Sequence, residues 1–148
     1  MSIETTGERS APRPPYPVIT DETAPFWDSA HARALQLPHC RGCGEFFFPP
    51  AEFCRFCWSE EISWDQVAGT GKIFSFVTFQ RMYNRAFEEL LPYHVIVVEL
   101  DEGPRFMSRL TGLAEGEIPT VDAAVEVVYE DLDETTTLPL FRLQGAAR

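Results

Sequence analysis

All four cysteines of the chain fall between Leu35 and Trp64, in the order Cys40-x2-Cys43-x10-Cys54-x2-Cys57. Each C-x2-C turn aims both of its sulfurs inward, and a short insert can fold as a hairpin between the two turns. Four thiolates thereby reach the corners of a tetrahedron, the arrangement of a zinc ribbon. Zinc suits such a cage because it is borderline-soft and imposes no geometry of its own, while thiolate ligands exclude magnesium and calcium. Iron fits the same four ligands. Two disulfides would require an exported chain, and a redox dithiol needs only one C-x2-C, so the spacing favours metal ligation by Cys40, Cys43, Cys54 and Cys57. A shell closed by four cysteines leaves no position for water or substrate, so the metal is expected to hold structure and catalyse nothing. Its binding free energy, of the order of 10 kcal/mol, would be folding energy for a unit too small to own a core. Gly44 follows Cys43, but Trp58 follows Cys57, and the second knuckle is expected to turn less freely for lack of a glycine.

At 148 residues and 45% hydrophobic content the chain is one domain-sized unit, or a small module joined to a larger one, with enough apolar mass to pack. Its first twenty residues hold no basic start followed by an apolar run, so neither signal peptide nor membrane span is expected. Reduced cysteines agree with a cytoplasmic setting. A net charge of -11 opposes broad binding to nucleic acid, itself a polyanion.

Residues 1–19, rich in proline (APRPPYP), read as a flexible tail. Residues 20–34 read as one amphipathic helix of about three turns, capped by Thr20 or Asp21, with Phe26, Trp27, Ala30 and Ala34 at helical spacing and the two aromatics as core anchors. Residues 35–66 form the ribbon, with a short strand at Leu35–Leu37 and another at Glu45–Phe48. Phe46, Phe47, Phe48, Phe53, Phe56 and Trp58 crowd this module, so some must pack on neighbouring elements or on another chain. His39 is read as a surface residue or a support for the metal ligands. Residues 67–148 have the texture of strands throughout. GTGKIFSFVTFQRMY, HVIVVELDEG, PRFMSRLTG, AAVEVVYED and TTTLPLFRLQ are separated by turn signals, with a hairpin turn at Asp101–Pro104 and a loop, with a helical turn, from Arg81 to Pro92. Five antiparallel strands of this length match a small barrel of the OB type.

No Ser-His-Asp order, phosphate loop or spare cysteine is visible, and His31, His39 and His94 form no constellation. The acids Glu130, Asp131, Asp133 and Glu134 read as a solvated turn. More informative are Arg105 and Arg109, four apart on one strand and so on one face, with Arg81 and Arg85 at the end of the first barrel strand and in its loop. Guanidinium groups there would suit the phosphates of a nucleotide-like ligand, or would simply pair with the surplus of acids.

A helix carrying FW, a ribbon beginning CRGCGEFFFPP, then GTGKIFSF, VIVVELDEGPRFMSRLTG and VEVVYED closely resemble the acyl-CoA-associated proteins that join an N-terminal rubredoxin-like zinc ribbon to a C-terminal OB-fold. The resemblance runs from about Phe26 to Arg142 and implies a mainly β chain: an N-terminal helix, a rubredoxin-like zinc ribbon and a five-stranded OB-fold barrel. It further implies a non-catalytic subunit of a thiolase-fold enzyme, whether thiolase, acyltransferase or side-chain retro-aldolase, in lipid or steroid catabolism; in some relatives the partner is a hot-dog-fold hydratase. Such a subunit would steady its partner in a two-plus-two assembly and help bind or channel CoA thioesters, with Arg81, Arg85, Arg105 and Arg109 as the CoA-side candidates. Zinc carries over onto the four cysteines, and no catalytic residue carries over. The competing reading is a nucleic-acid module, since both folds occur there and Phe74, Phe76 and Phe79 could stack bases.

Overall fold

A computed structural model describes residues 13–145. Most of the expected flexible tail, residues 1–12, lies outside the described residues. Helix α1 spans Ala24–His31, two turns rather than the expected three. Residues 20–23 form a separate turn in which the Thr20 carbonyl accepts from the Thr23 and Ala24 amides, and Pro25 then sits in the first turn of the helix, where its missing N–H costs nothing. The cap is Thr23, without a side-chain capping bond. The other end stops where Arg33 adopts φ 58°, with Ala34 N–H donating to the Ser29 carbonyl and Arg33 N–H to that of Ala30. That pair of bonds terminates a helix, and here an arginine fills the place usually given to glycine.

Strand β1, Gln36–Cys40, pairs antiparallel with β2, Ile62–Gln66, from Gln36 opposite Gln66 to Cys40 opposite Ile62. The expected strand at Glu45–Phe48 shrinks to a single bridge between Phe46 and His39. Pro49 and Pro50 have no N–H to donate, so a ladder cannot continue there, and β1 finds its partner beyond the cysteines instead.

The remaining strands are β3 (Thr70–Phe79), β4 (Tyr93–Leu100), β5 (Arg105–Leu110), β6 (Ala124–Asp131) and β7 (Thr137–Leu143). They close into a barrel in the order β3-β4-β5-β7-β6, with β6 returning to β3 and a parallel contact of Leu110 with Phe141 between β5 and β7. All five expected strands and the 3-10 turn at Arg85–Leu90 are present. Closure depends on the GTG segment. Gly71 and Lys72 pair with β4 on one side and Thr70–Lys72 with β6 on the other, and a Cβ on Gly71 would lie 2.3 Å from the Glu99 carbonyl oxygen. Only glycine lets β3 approach the β4 backbone this closely while also pairing with β6.

Alternation along β4 turns Ile96, Val98 and Leu100 inward, where Ile73, Phe106, Leu110, Val125 and Phe141 complete a continuous core. The same core takes in Phe26 of α1 and Leu35, Leu37 and Phe48 of the ribbon. Phe26, Phe48 and Phe106 form an aromatic triangle with centroid separations of 5.3, 5.0 and 5.7 Å, so helix, ribbon and barrel meet in one place. The buried Ser29 hydroxyl donates to the Phe26 carbonyl and accepts from Gln36 N–H, and the Tyr129 hydroxyl accepts from Leu35 N–H, so the seam is satisfied as well as packed.

Candidate metal centre and barrel site

The two knuckles are built alike. The Cys40 carbonyl accepts from Gly44 N–H at 2.9 Å, and the Cys54 carbonyl from Trp58 N–H at 2.9 Å. The Cys40 amide donates to the Glu45 carbonyl, as the Cys54 amide does to that of Ser59. Gly44 has φ 79° and Trp58 φ 64°. The second knuckle therefore makes the same left-handed turn despite lacking glycine, at a steric cost of roughly 1–2 kcal/mol. That corrects the expectation of a less free turn: the geometry is reached, and strain is what distinguishes the two.

All four sulfurs lie within 4.8 Å of one another. Cys40 Sγ is 3.5 Å from Cys57 Sγ, and Cys43 Sγ is 3.6 Å from Cys54 Sγ. Four sulfurs each 2.3 Å from a central ion would be about 3.8 Å apart, so the donor set fits a tetrahedral ion. Cys40 and Cys54 are buried and Cys43 and Cys57 exposed. Backbone N–H groups of Cys43 and Phe56 point at the Cys40 and Cys54 sulfurs, at 3.4 and 3.3 Å. The Cys43 amide, against the opposing effect of burial, draws the Cys40 thiol down to about 6. The Glu45 amide also draws on Cys43, but burial and the sulfurs of Cys54, Cys40 and Cys57 outweigh it and push that thiol up to about 12. A first thiolate thus forms readily and makes the next harder to form; a divalent cation removes the conflict by balancing the charge. Bound there, the ion would tie two distant turns together through Cys40, Cys43, Cys54 and Cys57.

His39 supports the first knuckle rather than joining it. Its Nε2 lies 3.0 Å from the Gly44 carbonyl, its Nδ1 2.7 Å from Asp65, and its ring stacks on Phe46 at 4.1 Å. The His39 hydrogen bond, followed by that of Ser63, holds the Asp65 carboxyl below the usual range, and Arg41 reaches the same oxygen at 2.9 Å. Phe47 is buried beside Cys40 and Cys54, whereas Phe53, Phe56 and Trp58 face solvent.

The four candidate arginines divide into two pairs. Arg105 and Arg109 share the outer face of β5, as their spacing predicts, but each is already engaged. Arg105 approaches Glu99 at 3.6 Å and lies over the Phe74 ring at 3.7 Å, while Arg109 donates to Glu130 at 3.1 Å. Arg81 and Arg85, beyond β3, form no ion pair among the described residues. Near them a cleft of about 900 Å³ opens between Pro92–His94, Arg109 and the loop 111–118. His94, nearly buried, bonds Thr78 Oγ1 at 2.9 Å on its wall.

The acidic run is more than a solvated turn. Asp131 is 2.7 Å from Arg33 and accepts from Thr137 Oγ1 at 2.6 Å, and the Asp133 carboxylate accepts from the amides of Thr135 and Thr136. Of these ties only Arg33–Asp131 joins distant parts of the chain and left no mark in the sequence; Asp133 caps its own turn, a local pattern that the run of acids and threonines could have shown.

Two family models match in succession: the ChsH2 rubredoxin-like zinc ribbon domain over residues 27–63 and the ChsH2 C-terminal OB-fold domain over residues 64–130. Among solved structures, a chain of an Ltp2-ChsH2(DUF35) aldolase superposes with a TM-score of 0.77 at 32% identity, covering 86% of this chain and 98% of that one. A probable enoyl-CoA hydratase alpha subunit of Thermomonospora curvata is 33% identical over 141 residues, which is 94% of this chain but 43% of that protein. A DUF35 domain-containing scaffold protein of Methanocaldococcus jannaschii is 26% identical over 96 residues, covering 64% of this chain and 67% of that protein. The chain thus spans less than half the length of the hydratase subunit it resembles.

Proposed function

From the premise that this chain belongs to the ChsH2 (DUF35) family, which pairs a zinc ribbon with an OB-fold, we propose that it is an accessory subunit of an acyl-CoA enzyme complex. Its partner on this reading is a thiolase-fold subunit of aldolase or thiolase type working in lipid or steroid catabolism in the cytoplasm, and the two form a two-plus-two assembly. A single observation carries the reading: the likeness at 32% identity extends over 98% of the corresponding chain of the aldolase, so the whole of that chain has a counterpart here. The described cysteines support it, since all four are committed to one cluster.

In this role the ribbon holds a structural zinc through Cys40, Cys43, Cys54 and Cys57, and the tail, helix, ribbon and barrel act as the successive units 1–19, 20–34, 35–66 and 67–148. The barrel lends cationic contacts to CoA thioesters. Arg81 and Arg85, free of ion pairs among the described residues, would meet phosphates first. Arg105 and Arg109 would join only by exchanging Glu99 and Glu130 for the ligand. The catalytic groups belong to the partner.

Purification of the native complex from its source, with mass measurement and assay of acyl-CoA cleavage, tests the proposal. A stable complex whose enzyme subunit loses solubility or activity without this chain is expected. An enzyme subunit fully active alone, with this chain monomeric beside it, overturns it.

A further inference from the structure

The register of the barrel collects an apolar surface on its outer wall. Because strand residues alternate, Val77, Val95 and Val97 face outward while Ile96 and Val98 face the core. Val77 lies opposite Val95, and Val97 opposite both Ser75 and Met107. A bulge between Ile73 and Ser75 adds Phe74 to the same wall. Met107 is 69% exposed and Val77 45%, and Phe74, 42% exposed, carries the Arg105 guanidinium over its ring at 3.7 Å, so three strands present a largely apolar patch to solvent. The patch lies on the face of β3, β4 and β5 and not along a strand edge, so whatever covers it does so through side chains.

The charges around the patch identify the kind of surface that fits it. Lys72 lies 3.8 Å from Glu99 and 3.9 Å from Asp122, Arg105 lies 3.6 Å from Glu99, and Arg109 is paired to Glu130. The border pairs three cations with three carboxylates, so a polyphosphate backbone would have to displace an acid at each contact, and this opposes nucleic acid as the occupant. A second copy of the chain is disfavoured for another reason: each carries a net charge of -11, and face-to-face copies would repel. An uncharged apolar patch ringed by satisfied ion pairs has the anatomy of a hetero-subunit interface, apolar at the centre and polar at the rim. We infer that the outer face of β3, β4 and β5, centred on Val77, Val97 and Met107, is the docking surface for the apolar, weakly charged face of the enzyme subunit. This rests on the reading of the chain as an accessory subunit and adds to it the face that does the docking.

The test uses the full chain and the enzyme subunit that purifies with it. Met107→Glu and Val77→Glu place a carboxylate in the patch at exposed positions, so each variant chain should keep the wild-type melting curve and metal content. Each is expected to weaken the complex by at least about tenfold, since a desolvated unpaired carboxylate at an interface costs more than 1.4 kcal/mol, while Met107→Leu leaves it intact. A folded Met107→Glu chain that binds the enzyme subunit with wild-type affinity overturns the docking face and leaves the accessory role standing. A wild-type chain that emerges from its source alone overturns both. Two further results would overturn the assignment: a pure chain that self-associates and is dispersed by Met107→Glu, or a single-stranded oligonucleotide whose binding is lost in that variant.

Discussion

The tip of the ribbon and the wall of the barrel are ordered by different means. At the tip, Cys40, Phe47 and Cys54 are buried together with Ile62 against them, too little apolar surface to offset the entropy of fixing two loops. The barrel buries Ile73, Ile96, Val98, Leu100, Phe106, Leu110, Val125 and Phe141 in one cluster. The ribbon tip thus depends on coordination and the barrel on the hydrophobic effect, and they meet where Leu35, Leu37, Phe46, Phe48 and Trp64 of the ribbon join the larger core. A small module can place half its apolar residues in a neighbour and leave its own tip to a metal.

The largest separation of the two should come from the metal. Chelation, or Cys43→Ser, removes binding energy of the order of 10 kcal/mol, and amide exchange should show the knuckles between Cys40 and Ser59 losing protection while β4 and β6 keep theirs. Simultaneous collapse of the barrel would mean the two regions share one folding unit. In the opposite direction, Phe141→Ala should cost the barrel about 3–5 kcal/mol in chemical denaturation, because a fully buried ring leaves a cavity. If it also frees the metal, the seam transmits stability both ways. Gly71→Ala should cost about 1–3 kcal/mol by forcing β3 away from the Glu99 backbone; an unchanged denaturation midpoint would show that the barrel can widen there.

Within the ribbon, Trp58→Gly should stabilise the second knuckle by about 1 kcal/mol, read as tighter retention of metal against a chelator, because it relieves a left-handed tryptophan. The smallest effect is expected at the joint. Arg33, then Thr137, hold the Asp131 carboxyl below its ordinary range. A depressed folded value gives stability that is complete above the unfolded value of about 3.9 and is lost as pH falls through the lower folded one. Asp131→Asn should therefore lower stability slightly in the neutral region, where the wild-type contribution is complete, and flatten the acid limb of the barrel's pH–stability profile below about pH 4, as melting curves at several pH values would register.

What could be read from residues alone was whatever is encoded locally. The cysteine spacing, the alternation in HVIVVEL and the DEGP turn each carry their own geometry, and the ribbon, β4 and its hairpin follow from them. Pairings set by closure left no such mark. Arg109 meets Glu130 because β7 lies between β5 and β6, and nothing in RFMSRL announces that neighbour. ISWDQ reads as the end of the ribbon and not as a separate strand, since five residues pairing across the cysteine insert have no periodicity long enough to separate them from loop. The end of α1 was placed too late because Arg33, and no glycine, makes its left-handed stop.

The triangle of Phe26, Phe48 and Phe106 sets the span between the Trp58 knuckle and the Met107 face, since one ring comes from each of the three parts that would otherwise swivel. A partner surface that spanned the exposed Trp58 and the proposed Met107 face would find the two at a fixed distance and angle, so its second contact would be made at high effective concentration with no hinge entropy to overcome. Loosening the triangle, for example with Phe48→Ala, would leave both surfaces chemically intact and still cost the chain its ability to present them together. In that sense the aromatic seam acts as a ruler.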